Sequence, residues 1–249
     1  VLARAKAAAP DANVVFLPCD LASLASVKAA AEQFVAAADR LDVLICNAGI
    51  MAVPRGVTQD GYEVQFGTNH LGHALLVKTL LPTLRRTAAA PGADVRVVTL
   101  TSLGFRLHPK GGIHFDTLRS EQDAGFGGPW ARYGQSKLAN LLYARELARR
   151  VPELTSLAVH PGVVDTGLVG GLGCWNRLLI RVTNPAGYLT PAEGAYNELW
   201  AAFGDKADLQ NGQMYEPVGQ LSKQLDATAK DDQLAAKLWK WTEEALQAY

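Results

Sequence analysis

The chain has 249 residues, long for one layered domain and short for two. Hydrophobic residues make up 49% and charged residues 19%, enough apolar material for a large core and too little charge for intrinsic disorder. Lys plus Arg and Asp plus Glu both number 24, so no net field draws the chain to nucleic acid or to an anionic membrane.

Val1 opens inside an alanine-rich helical pattern that runs from Leu2 to Ala9. Apolar, β-branched runs at Asn13 to Leu17, Asp42 to Cys46, Val95 to Thr99 and Thr155 to Val159 predict buried strands. Between them, helical spacing predicts helices over Leu24 to Ala38, over Gly61 to Arg86 with a break near Asn69, and over Trp130 to Arg150. Leu103 to Gly128 is glycine-rich and has no clean period, so it reads as a long loop with short local structure. Two more helices follow, Pro191 to Phe203 and Asp231 to Leu246. Ser23 and the Thr190-Pro191 pair supply N-terminal caps. Strands alternating with helices predict an α/β fold, a doubly wound parallel sheet in one domain spanning residues 1–249.

Cys19, Cys46 and Cys174 are scattered, with no metal-ligand spacing among them, which predicts a reducing compartment and no structural metal. No apolar run reaches the ~18 residues of a membrane span, and no signal pattern opens the chain. The expected location is cytoplasmic, without an integral membrane segment.

Tyr133 and Lys137 are four apart on a predicted helix, so their side chains share a face. A tyrosine beside an ammonium is expected to titrate below its usual value of ~10, and such a phenol can exchange a proton with a carbonyl or alcohol oxygen. Three strands end in small or hydroxylic residues: Asn47-Ala48-Gly49, Thr101-Ser102 and, after His160, Pro161-Gly162. Ligands of open parallel sheets bind beyond the carboxyl ends of the strands, so these endings converge on one crevice.

The ordered set Asn47, Ala48, Gly49, Asn69, Ser102, Tyr133, Lys137, Pro161 and Gly162 resembles the short-chain dehydrogenase/reductase family across nearly the whole chain. The resemblance implies a Rossmann-type fold and a nicotinamide-dependent exchange of hydride with a small carbonyl or alcohol. It implies Tyr133 as general acid/base, and Lys137 as the residue that lowers its pKa and binds the nicotinamide ribose. Ser102 would bind the substrate oxygen, and Asn69 would kink its helix and hold a water in the proton relay. Asp20, followed by Leu21, would meet the adenine, while Val163 and Thr166 would hold the carboxamide with hydride leaving the B face. The stretches Thr58 to His73 and Gly112 to Leu118 resemble more narrowly the retinol dehydrogenase, WW-domain oxidoreductase and protochlorophyllide reductase branch. That likeness favours NADP(H), with NAD(H) possible, and a monomer or homodimer.

Met51, Phe105, Leu107, Phe126, Trp130, Leu168 and Trp175 lie near the predicted strand ends or a lid spanning Trp175 to Val182, and predict an apolar substrate pocket. His70 and His73 lack a third ligand at sensible spacing and read as packing residues rather than a metal site, as does His160.

One element departs from the family pattern. No G-x-x-x-G-x-G turn occurs in these residues, and the strands that flank it in the family have no counterpart here. The expectation is that about forty residues precede Val1 in the natural protein, and that Asn13 to Leu17 lacks its neighbouring strand. The residues that select NADP over NAD would lie in that segment. Two other functions fit part of the pattern: a non-catalytic scaffold of the same fold, and a light-dependent protochlorophyllide-reductase-like enzyme. No cysteine flanks Tyr133 or Lys137, which counts against the second.

Overall fold

The computed structural model describes residues 2–123, 125, 127–165 and 187–249. Its sheet has the order β1 (Val43–Cys46), β2 (Arg96–Leu100), β3 (Thr155–Val159), β4 (Met214–Glu216), β5 (Gln220–Leu221). The first four strands are parallel, and β5 returns antiparallel at the edge. Register fixes Val98 opposite Ile45 on one side and Leu157 on the other, so β1, β2 and β3 end within about one residue of one another.

Side chains alternate across these strands as the pleat requires. Cys46, Val97 and Ala158 face a large core closed by α2 (Leu24–Ala37), α4 (Gly72–Ala88), α5 (Gly128–Arg150) and α7 (Asp232–Ala245). Val98, Leu100, Leu157 and Val159 face the opposite side, where α6 (Pro191–Phe203) lays Ala201 and Ala202 on the sheet. Helices on both faces make the architecture doubly wound, as the alternation of elements predicted.

Local chemistry explains several boundaries. The Ser23 hydroxyl accepts from the Ser26 N–H to start α2. Thr190 and Glu193 form a reciprocal capping box at α6, with Pro191 in its first turn. Arg96, buried at the start of β2, donates to the carbonyls of Ala201 (3.0 Å) and Gly204 (2.7 Å), satisfying the end of α6. The helix expected to break near Asn69 does so. Glu63 caps a first turn, α3 (Val64–Phe66), a π turn occupies Gly67–Leu71, and α4 continues from Gly72. The long loop holds two short 3₁₀ turns, Leu103–Leu107 and Phe115–Thr117.

The expected strand Asn13 to Leu17 is a correction. Among the described residues it forms no ladder, and Val15 and Phe16 are 70% and 68% exposed. An apolar β-branched run becomes a strand only where another backbone pairs with it. The preceding helix, α1 (Leu2–Ala8), buries none of its residues. β4 and β5, of three and two residues, were not anticipated.

Candidate active site

β1 and β2 deliver their endings to one crevice beside α5. Tyr133 is nearly enclosed, and its ring meets Trp130 edge-on at 6.1 Å, with Met51 and Ala52 completing a small apolar cluster. Burial pushes its phenol up to about 12, and a hydrogen bond with the Ser102 side chain works against that rise. Ser102 also accepts from the Gly104 N–H at 3.1 Å, which fixes the hydroxyl at the strand end.

Lys137 lies one turn along the same face. Its Nζ donates to the Leu100 carbonyl at 3.1 Å and stands 5.9 Å from the Tyr133 ring centre. Burial lowers this ammonium to about 8, opposed by the charge of Glu198 on α6. The expected depression of Tyr133 by Lys137 is therefore not what governs the phenol; desolvation does. Thr101 donates to the Lys137 carbonyl (2.7 Å) and Asn140 to the Leu100 carbonyl (2.9 Å), locking α5 onto the end of β2.

Asn69 is fully buried in the π turn. Its Oδ1 accepts from Ile50 N–H (2.8 Å), and its Nδ2 donates to Ile50 C=O and to Ser136 Oγ, both at 2.9 Å. Ser136 in turn donates to the Tyr133 carbonyl (2.8 Å). One asparagine thus ties the chain after Gly49 to the helix that carries Tyr133.

The dinucleotide implied by the resemblance can be tested against this surface. A Cβ at Gly49 would lie 2.9 Å from Asn69 Oδ1 and 3.6 Å from Lys137 Nζ, so glycine there leaves backbone open beside the lysine. Gly162 has φ +88°, and a Cβ on it would strike Leu189 at 2.6 Å. Asn47, Ala48 and Asp20 are exposed, while Leu21, Pro161 and Val163 are half-buried. Val163 accepts from the Leu189 N–H at 2.8 Å, which anchors the turn after β3. The open backbone at Gly49 beside the Lys137 ammonium fits the nicotinamide end of such a group. The sequence holds no glycine-rich pyrophosphate turn.

Of the expected pocket residues, Met51 and Trp130 lie against Tyr133, whereas Phe105 is wholly enclosed in the main core. Thr166, Leu168, Trp175, Phe126 and the expected lid, Trp175 to Val182, fall outside the described residues. Burial drops His70 to about 3 and His73 to about 4. His70 shares a hydrogen bond with Thr242, and His73 donates to the Asn69 carbonyl, so both are packing residues with partners. Among the described residues no His, Cys, Asp or Glu cluster could hold a metal ion, and no helix is long and apolar enough to cross a membrane.

Sequence reading gave no role to Arg132 and Glu63, which form a buried pair at 3.3 Å beside Tyr133. Burial raises the Glu63 carboxyl, while the N–H groups of Phe66 and Gln65 and the Arg132 charge pull it back. Glu63 lies in the stretch Thr58 to His73, but nothing local indicates its partner. Ser136, likewise within Tyr133 to Lys137, gave no signal of its bond to Asn69.

With fold and crevice in view, comparison with known proteins places the chain. The family model for short chain dehydrogenase matches residues 1–108. The short-chain dehydrogenase/reductase drtF of Aspergillus calidoustus is 38% identical, over 97% of this chain and 80% of that protein. Retinol dehydrogenase 14 of Mus musculus is 37% identical, over 96% of this chain and 70% of its own length. A crystal structure of a protein from Mycobacterium Paratuberculosis superposes with a TM-score of 0.69 at 33% identity, covering 98% and 81% of the two chains. The chain belongs to the short-chain dehydrogenase/reductase family and is an oxidoreductase of that family. It spans 62% of another fungal relative, dpchH of Colletotrichum higginsianum.

Proposed function

We propose that this chain catalyses hydride exchange between NADP(H), or less favourably NAD(H), and an apolar carbonyl/alcohol pair. The observation that carries the reading is the meeting of Ser102, Tyr133, Lys137 and Asn69 at the ends of β1 and β2, with Gly49 beside the lysine. A bound nicotinamide supplies or accepts the hydride.

The chain's own residues supply the rest. Ser102 binds the substrate oxygen and steadies the charge that grows on it. Tyr133 gives its proton to that oxygen in reduction and takes it back in oxidation. With its phenol held near 12, the proton needed for reduction is in place at neutral pH. Lys137 has three N–H donors, one of them directed to Leu100, and offers the others to a ribose. Asn69 holds the relay water and the π turn. Asn47, Ala48, Pro161 and Val163 line the nicotinamide side, and Asp20 with Leu21 the adenine side. Met51, Ala52 and Trp130 make the wall near Tyr133 apolar, which favours an apolar substrate. We further propose that residues 1–249 act as one domain, as a cytoplasmic monomer or homodimer.

Titration with NADPH and separately with NADH, followed by nicotinamide fluorescence, tests this reading, with Tyr133→Phe alongside. Expected is binding of one nucleotide by both proteins and turnover of a carbonyl panel by the unmodified chain alone. No binding of either nucleotide by the folded protein would leave a non-catalytic protein of the same fold as the better reading.

A further inference from the structure

Among the described residues, the non-glycine positions with positive φ are Ala52 and Gln122, both at 49°. This left-handed conformation is one that alanine and glutamine adopt only when surrounding structure imposes it. The two are far apart in sequence, yet one side chain holds both segments. Arg132 donates from one Nη to the Gln122 carbonyl at 3.2 Å, and from the other to the carbonyl of Val53, the residue after Ala52, at 3.3 Å. Its Nε faces the Glu63 carboxylate at 3.3 Å, an ion contact that is not aligned as a hydrogen bond. Both side chains are withdrawn from water, at 4% and 0% exposure. Glu63 Oε2 in turn accepts from the Phe66 N–H at 2.7 Å, at the head of the helix that carries Asn69.

We propose that Arg132 is a positioning residue that clamps together two strained backbone segments, one of them the wall of Tyr133, using Glu63 as its anchor. The planar guanidinium suits this: its rigid fork directs the two Nη groups to two separate carbonyls while Nε faces Glu63, a fixed span that a compact ammonium does not match. One clamped segment carries Met51 and Ala52, which pack directly on Tyr133. The other belongs to the long loop, which α5 also holds through Gln135: its Nε2 donates to Gln122 Oε1 (2.7 Å) and its Oε1 accepts from His114 N–H (2.9 Å). Arg55 bridges the same two segments at the surface, to Asp123 at 2.6 Å, but it is half exposed and is expected to contribute little. Arg132 adjoins Tyr133 in sequence, so the residue that sets that wall and the residue that moves the proton are placed by the same turn of α5.

The test is Arg132→Lys, which keeps the charge opposite Glu63 and removes the fork. Amide hydrogen exchange at residues 50–53 and 120–123 should quicken by about tenfold or more, with the rest of α5 unchanged. With NADPH and decanal as probes, KM for the aldehyde should rise about tenfold, kcat fall less than about threefold, and NADPH affinity stay within about twofold. Ala52→Gly/Gln122→Gly supplies a background in which both positions take positive φ without strain. There the same Arg132→Lys change should have a clearly smaller effect on exchange. Unchanged exchange in folded Arg132→Lys, or an equal change in both backgrounds, overturns the proposal. If Arg132→Lys does not fold in the original chain, folding in the glycine background supports the clamp and failure there overturns it. The KM expectation rests on Tyr133 being the acid/base, whereas the exchange expectation does not. Full turnover by Tyr133→Phe would remove that functional reading and leave the exchange result to decide the clamp.

Discussion

Along α5, the first half from Trp130 to Lys137 withdraws an arginine, a tyrosine and a lysine from water, whereas the second half from Leu138 to Ala148 buries leucines against α7 and β3. Tyr143 in that second half stacks on Trp239 at 5.0 Å, a packing role unlike that of Tyr133 ten residues earlier. Burying polar groups opposes folding unless their hydrogen bonds are remade. In the first half they are remade to carbonyls at strand ends and in loops, at Leu100, Val53 and Gln122. One helix therefore has a half that stabilises the fold and a half whose chemistry the fold must support. Changes in the two halves should separate activity from stability.

The largest separation is expected from Tyr133→Phe. Loss of the phenolic proton should lower turnover by about 10³-fold, with melting temperature unchanged or slightly higher because a buried hydroxyl has gone. Steady-state rates beside a thermal melt check it. A fall in melting temperature that accounts for the lost turnover would erase the contrast between the halves.

Leu142→Ala is the mirror experiment. Leu142 is fully buried in the main core. Truncation removes transfer free energy and leaves a cavity, so stability should drop by about 2–5 kcal/mol. Urea unfolding should show this at unchanged slope, with KM and kcat intact below the transition.

How far each half was readable from sequence follows the same division. Tyr133 and Lys137 show themselves because four residues on a helix put two side chains on one face. Ser102 shows because a strand ends there, whereas Asn69 takes its expected role from the ordered set that resembles the family. The tyrosine's proton affinity departs upward from the value expected beside a lysine, since a neighbouring lysine is visible in sequence and enclosure by Met51, Ala52 and Trp130 is not. Arg132 was silent for a related reason: its partners Val53 and Glu63 lie on other elements, and a clamp exists only after folding. Asn13 to Leu17 had the composition of a strand without a paired backbone. Met214–Glu216 forms a strand because Ala158 and Val159 pair with it, and three residues are too few to show a period.

Lys137 gives the first half a signature in pH. Its ammonium titrates near 8 in the folded chain against an ordinary 10.5, so between these values the unfolded chain binds the proton that the folded chain has lost. Stability should therefore rise as pH climbs through this window, and be lost as pH falls back through 8. Tyr133, raised from 10 to about 12, acts with the opposite sign but only above pH 10. Between pH 8 and 10 the gain should be about 2–3 kcal/mol. Lys137→Met should flatten the stability profile there, measured by denaturant unfolding at each pH. A profile that keeps its slope would assign the titration elsewhere.

The smallest effect should come from the far end of the same helix. Glu146 accepts from Arg149 Nη2 at 2.7 Å and from Arg150 Nε at 2.5 Å, a close cluster one turn before the helix ends. Burial pushes its carboxyl up, but the two arginines together hold it below the ordinary value. The arginine side chains are 60% and 43% exposed, so water and salt screen most of what the short distances offer. Glu146→Gln keeps the shape and one acceptor oxygen and removes only the charge. The melting temperature should fall by about 1–3 °C, and the difference should shrink in ~0.5 M salt while turnover stays level. A larger drop, indifferent to salt, would mean that the second half of α5 also depends on a charge shielded from water, and the line between its two halves would have to be drawn by hydrogen-bond partners rather than by polarity.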